Sequence, residues 1–216
     1  MKLSLSALSA LKPEIKNKLS QEVTYKNQQA TFLIPTLQML LRYSHNSIHG
    51  NEDYLNSPIV HQSTYMAHSF SNNLPQSAYN SLKLITMSNS LNIEDIPPLI
   101  QLKVISETFI ENEKLFDTPG AIARSVPYNT PTRKIKVTAK DSFDIEGNTE
   151  GFEYVWKVLD NSPHVKITIS PNNPSEATLE FSPSSITERI DVAVFVKDRS
   201  GKYYSVPGIV SVYVHE

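Results

Sequence analysis

Six histidines and one tight acidic turn hold most of the side chains in this sequence that can bind a metal ion or move a proton. His45 and His49 are four residues apart, a spacing that puts two imidazoles on one helix face, as zinc ligands require. His61 or His68 would complete such a zinc site. Asn46, Ser47 and Ile48 lie between the first pair, with no glutamate after His45, so the metalloprotease pattern is absent. Asp141, Asp144 and Glu146 fall within six residues, and Asp198 stands near the end of a later apolar run. Calcium takes hard oxygen ligands from turns of this kind, and these four residues are the candidate calcium site. The competing role for such carboxylates is to cap backbone amides of their own turn.

Other chemistry has little to work with. There is no cysteine, which excludes disulfides, thiolate metal sites and thiol catalysis. No Gly-x-Ser-x-Gly elbow occurs. The first 119 residues hold one glycine, Gly50, so no glycine loop cradles a phosphate there. We therefore name no catalytic residue and no cofactor beyond the candidate calcium ion. Tyr43, Tyr54, Tyr65, Tyr79, Tyr203, Tyr204 and Tyr213 are available for a carbohydrate- or peptide-binding surface, or for ordinary packing.

The elements that must position these residues change character near residue 118. Before it the spacing predicts helices over 13–25, 35–44 and 75–90, with a polar loop over 45–63. Asn92 to Pro98 reads as a helix start, followed by Leu99, Ile100, Leu102, Val104 and Ile105 as an apolar helix face or a short strand. From residue 119 the period becomes two. Alternation marks strands around 134–140, 152–158, 165–169, 177–181, 190–197 and 210–214, with a seventh around 121–126. Turn residues such as Glu146-Gly147-Asn148 and Pro171-Asn172-Asn173-Pro174 separate them. Phe195 falls on the outward face of its strand, where something must cover it.

Seven short strands in under 100 residues have the spacing of a β-sandwich, and the sole tryptophan, Trp156, falls on the third. The run Val137 to Gly147, followed by Tyr154-Val155-Trp156-Lys157-Val158, resembles the opening of PKD-type or cadherin-like bacterial Ig domains. Ile190 to Asp198, then Gly201 and Tyr204 to Pro207, resemble their last two strands. Lys157-Val158-Leu159 stands where typical PKD repeats have a Gly-Asp-Gly loop. Leu115 to Arg124, taken with this sandwich, resembles segments of large uncharacterised bacterial proteins. The expected class is α+β, with a helical region over 1–118 packed on an Ig-like, PKD-like sandwich over 119–216.

The resemblance implies a non-catalytic binding, adhesion or structural-support module of a larger bacterial extracellular or envelope protein. Its partners would be other domains of the same polypeptide, or a protein or carbohydrate ligand. The alternative is a hydrolase with its site in the histidine-bearing loop 45–68 and the sandwich as an accessory. The 216 residues carry a formal net charge of −2, which points to no nucleic-acid partner. No apolar run reaches the length of a membrane helix. The serine-interrupted leucines after Met1 make a poor signal peptide, which keeps a cytoplasmic location open.

Overall fold

The computed structural model describes residues 2–25, 28–56, 76–159, 161–184 and 188–216. The chain is α+β and divides into two compact units. One comprises residues 1–99, 143–152 and 197–206; the other comprises 100–142, 153–196 and 207–216. Residues 100–118 thus belong with the strands that follow them, and two strand-to-strand connections belong with the helices.

The first unit carries helices α1 (Lys2–Ala10), α2 (Pro13–Ser20), α3 (Leu33–Tyr43), α4 (Asn51–Asn56) and α5 (Ser81–Ser90). Pro13 opens α2, where its missing N–H costs nothing. The helix expected over 13–25 stops at Ser20, and β1 (Val23–Tyr25) pairs antiparallel with β2 (Gln28–Ala30). Val23, Thr24 and Tyr25 are β-branched or aromatic, and they suit that hairpin better than a last helical turn. Helix α3 is buried nearly all round, at Thr36, Leu37 and Met39 through Tyr43. The Asn80 side chain caps α5 by accepting from the Lys83 N–H at 2.9 Å.

No helix starts at 92–98. Ile93–Asp95 make one 3₁₀ turn, closed by the Asp95 carboxylate accepting from the Asn92 N–H at 3.2 Å. Pro97 and Pro98 then stop it, because the first bars α geometry at Ile96 and neither offers an N–H.

The second unit holds two sheets. A four-stranded sheet runs in the order β3 (Lys103–Glu107), β6 (Arg133–Thr138), β9 (Asn173–Phe181), β8 (Val165–Ser170), all antiparallel. A five-stranded sheet runs β4 (Lys114–Asp117), β5 (Ala121–Pro127), β11 (Gly208–His215), β10 (Arg189–Asp198), β7 (Phe152–Val158), with β5 and β11 parallel. Alternation in β6 and β9 buries Ile135, Val137, Ala177, Leu179 and Phe181 and turns the residues between them outward. Side-chain links tie the sheets, among them Lys114 of β4 with Glu107 of β3 at 3.5 Å. Trp156 of β7 donates its indole N–H to the Pro174 carbonyl at 3.1 Å, Arg124 of β5 pairs with Glu107 of β3 at 2.7 Å, and Arg133 of β6 pairs with Glu113, just before β4, at 2.7 Å. The Arg133 guanidinium and the Ile110 N–H outweigh the cost of burial and hold the Glu113 carboxyl below its ordinary range. Phe195 is fully buried.

Candidate functional site

Three of the four acidic residues singled out from the sequence come together in the first unit. Asp144, Glu146 and Asp198 line a cleft of about 320 Å³ with Glu94, Asn148, Ser200 and the apolar side chains of Ile93, Ile96 and Ile145. The connections β6–β7 and β10–β11 supply two walls, and the 3₁₀ turn at 93–95 supplies the third.

Turn chemistry fixes each wall. Asp144 Oδ1 accepts the N–H groups of Glu146 and Asn148, both at 2.8 Å, and its Oδ2 accepts from Asn148 Nδ2 at 2.9 Å. Gly147 adopts φ +87°, a left-handed conformation that glycine enters without steric cost, and donates to the Asp144 carbonyl at 3.0 Å. In the second wall Asp198 Oδ1 accepts from the Ser200 N–H at 2.8 Å and from its hydroxyl at 2.5 Å. These carboxylates hold their turns and also leave an electronegative mouth, since four acids and no base line the cleft.

Asp141 is not part of this group. It lies in the other unit, where burial and the Asp141 charge push the Tyr154 phenol up to about 12. Among the described residues, no three His, Asp or Glu side chains are grouped to hold a metal ion. Glu94 was not legible as a member of the cleft. It is fifty residues from Asp144, and its only local signal is membership of the acidic first turn after Asn92.

The histidines take other places. His45 and His49 do not share a helix face, because α3 ends at Tyr43 and both residues lie in the turn after it. His45 is buried, and its Nδ1 accepts the Ser47 N–H at 3.2 Å and lies 2.8 Å from the Ser47 hydroxyl. Its ring meets Tyr79 edge-on at 5.7 Å. His49 is exposed and donates its backbone N–H to Asp53 at 2.7 Å. His61, His68 and Tyr65 lie outside the described residues, as does much of the loop 45–68.

Burial first, and then the Lys83 charge, hold the His45 imidazole below its ordinary pKa. The folded state therefore prefers the neutral ring. The stabilisation is complete above the unfolded value of about 6.5 and is lost as pH falls from there through the depressed folded value. Urea midpoints of the wild-type chain should fall between pH 7.5 and 5 by more than those of His45→Asn, whose side-chain oxygen replaces Nδ1 as acceptor without titrating. Equal losses in the two proteins would contradict this assignment.

Four of the tyrosines pack inside the first unit and do not line a surface. Tyr43 and Tyr54 stack with centroids 4.0 Å apart, Tyr43 donates to Asn51 at 2.6 Å and accepts the Tyr204 N–H at 3.0 Å, and Tyr54 donates to the Ser205 carbonyl at 3.0 Å. Tyr203 and Tyr204 are also buried, and burial raises the phenols of Tyr43 and Tyr54 above their ordinary range.

One grouping had no sequence signal at all. In the second unit Ser184 Oγ lies 3.0 and 3.1 Å from the two ring nitrogens of His164, with Glu188 Oε1 3.9 Å from Nε2. The hydroxyl faces the ring edge between the nitrogens and is in line with neither lone pair, and the carboxylate is beyond hydrogen-bond reach. The geometry does not activate Ser184 as a nucleophile.

No family model matches this chain, and no curated protein does. Among solved structures it is similar to a nucleoside hydrolase-related hypothetical protein from Saccharophagus degradans, at 14% identity and a TM-score of 0.38. That match covers 61% of this chain and 29% of the other. The titin M3 domain matches at 11% identity and TM-score 0.28, covering 54% of this chain and 99% of the domain. The BIgI domain of beta protein from S. agalactiae matches at 10% identity and TM-score 0.25, covering 54% of this chain and all of the domain (100%).

Proposed function

We propose that the second unit is an Ig-like sandwich and that the chain is a non-catalytic binding module of a larger bacterial extracellular or envelope protein. Strand order supports the fold assignment. The sheet β3-β6-β9-β8 follows the A-B-E-D order of Ig sandwiches, and β7, β10 and β11 follow C-F-G, with Trp156 on the C strand.

One observation carries the binding role. The β6–β7 and β10–β11 connections correspond to the B–C and F–G loops, which Ig sandwiches use for recognition, and here they line the acidic cleft. Its charge suits a cation, with calcium the first candidate, although the carboxylates are not grouped around one point and the ion would have to draw them together.

The test is thermal unfolding of the chain in EDTA, in millimolar calcium and in millimolar zinc, alongside assays of chromogenic esters and glycosides. Calcium should raise the midpoint by mass action, and Glu146→Gln should reduce that rise. No ester or glycoside should turn over. A zinc-specific rise, accompanied by turnover that His45→Ala abolishes, would replace this reading with the hydrolase.

A further inference from the structure

We propose that the outward face of the four-stranded sheet binds an anionic polysaccharide. This goes beyond the cleft and uses none of its residues.

Pairing register places the charges. Lys134 and Lys136 of β6 alternate with the buried Ile135 and Val137 and so point outward. Lys166 of β8 sits opposite Glu180, which sits opposite Lys134, so the two lysines flank one glutamate across three adjacent strands. Their backbones are about 10 Å apart, two strand spacings. Lys103 of β3 stands opposite Thr138, on the same face. Lys140, just past β6, is close enough to Glu176 to help hold that carboxyl below its ordinary range, after the larger effect of Lys136.

The second unit carries ten Lys and Arg against twelve Asp and Glu. Among the described residues, five of those bases lie on this face, with two acids, Glu176 and Glu180. The unit is therefore polarised, with a basic face and an acidic remainder. Lys134 pairs with Glu180 at 3.2 Å and Lys136 with Glu176 at 2.9 Å. These half-exposed pairs are weak enough to exchange for an anionic ligand. Lys103, Lys140 and Lys166 are exposed and project the net positive charge.

The rest of the face selects among polyanions. Over the paired lengths of β6, β8 and β9 the outward side chains include no aromatic and no arginine, so bases have nothing to stack on. On these three strands they include no apolar anchor of the kind a protein interface buries at its centre, and on β3 the exposed bulge residue Ile105 stands alone at the sheet edge. Between the lysines stand Thr138, Thr168 and Thr178, the last two directly opposite each other. Their hydroxyls donate and accept, as sugar hydroxyls do. A linear chain of acidic sugars matches both the charge and the hydroxyl pattern.

The experiment measures binding of the full chain to heparin, with uncharged dextran, duplex DNA and polyglutamate as comparisons, at low and physiological salt. Heparin should bind best, dextran should not bind, and added salt should weaken the complex. Reversing Lys103, Lys140 and Lys166 to glutamate should lower heparin affinity by at least about tenfold, since three exposed charges change sign on one face. The matched reversal of Lys12, Lys16 and Lys18 in the other unit should change it little. Thermal midpoints establish that both triple variants fold, and single reversals of the three lysines replace the first triple if it does not. The proposal fails if heparin does not bind, if reversals on this face have no more effect than the matched set, or if DNA or polyglutamate binds as well as heparin. Calcium binding in the cleft stands or falls separately.

Discussion

Arg124→Ala should destabilise the chain by on the order of 3–5 kcal/mol, the cost of removing one partner from a buried ion pair. Its side chain is fully buried, while those of Glu107 and Asp117 are 12% and 51% exposed. The guanidinium spans three strands. It reaches Glu107 of β3 with Nε at 2.7 Å and Nη2 at 3.2 Å, Asp117 of β4 with Nη1 at 2.6 Å, and the Ala123 carbonyl of β5 at 2.8 Å. Burial alone would lower the Arg124 pKa, but Asp117 and Glu107 together outweigh it, and the group stays charged.

Alanine would leave Glu107, nearly enclosed, with only Lys114 at 3.5 Å as a counter-charge, and would cut one of the links between the sheets. Asp117→Asn should cost far less, because that carboxylate is half in water and keeps a hydrogen-bonding neighbour. Urea unfolding followed by the fluorescence of the single tryptophan reads both variants. A loss below about 1 kcal/mol for Arg124→Ala would show that the triad adds little, as an exposed pair would.

The legible parts of this fold are those where one local rule suffices. Alternation located β6, β9 and β11 because each has one face more buried than the other and turn residues at its ends, whereas β10 is buried on both faces from Ile190 to Val196 and is marked by its run of β-branched residues. β4 has no such pattern: all four of its residues are exposed, so burial imposes no period on Lys114-Leu115-Phe116-Asp117. The helix expected past Ser20 failed where β-branched residues found a hairpin partner, which periodicity over 13–25 cannot anticipate.

The candidate site divides the same way. Asp144 and Asp198 announce themselves through turn chemistry within four residues of sequence. Glu94 depends on tertiary placement, and so do His164, Ser184 and Glu188, for which spacing carries no information. His45 and His49 show the opposite error. Their four-residue spacing means a shared face only on a helix, and the helix has ended two residues before His45.

Trp156→Ala should cost about 3–5 kcal/mol, the range for removing a large aromatic from a core. The indole is 6% exposed on β7, and its N–H reaches the Pro174 carbonyl at 3.1 Å, in β9 of the opposite sheet. With no cysteine to link the sheets covalently, packing and a few polar links must hold them together. Truncation removes both ring area and a cross-sheet hydrogen bond, and a rigid sheet pair cannot collapse fully into the gap. Trp156→Phe separates the two contributions. It retains much of the apolar area but leaves the Pro174 carbonyl without its indole donor, so it should cost about 1–3 kcal/mol. Far-UV circular dichroism during urea unfolding measures both, since the fluorophore is gone. If Phe proved as costly as Ala, the hydrogen bond and indole shape would outweigh buried area at this position. If both were nearly neutral, Trp156 would not link the sheets, and the assignment of β7 as the C strand of an Ig-like sandwich would lose its anchor.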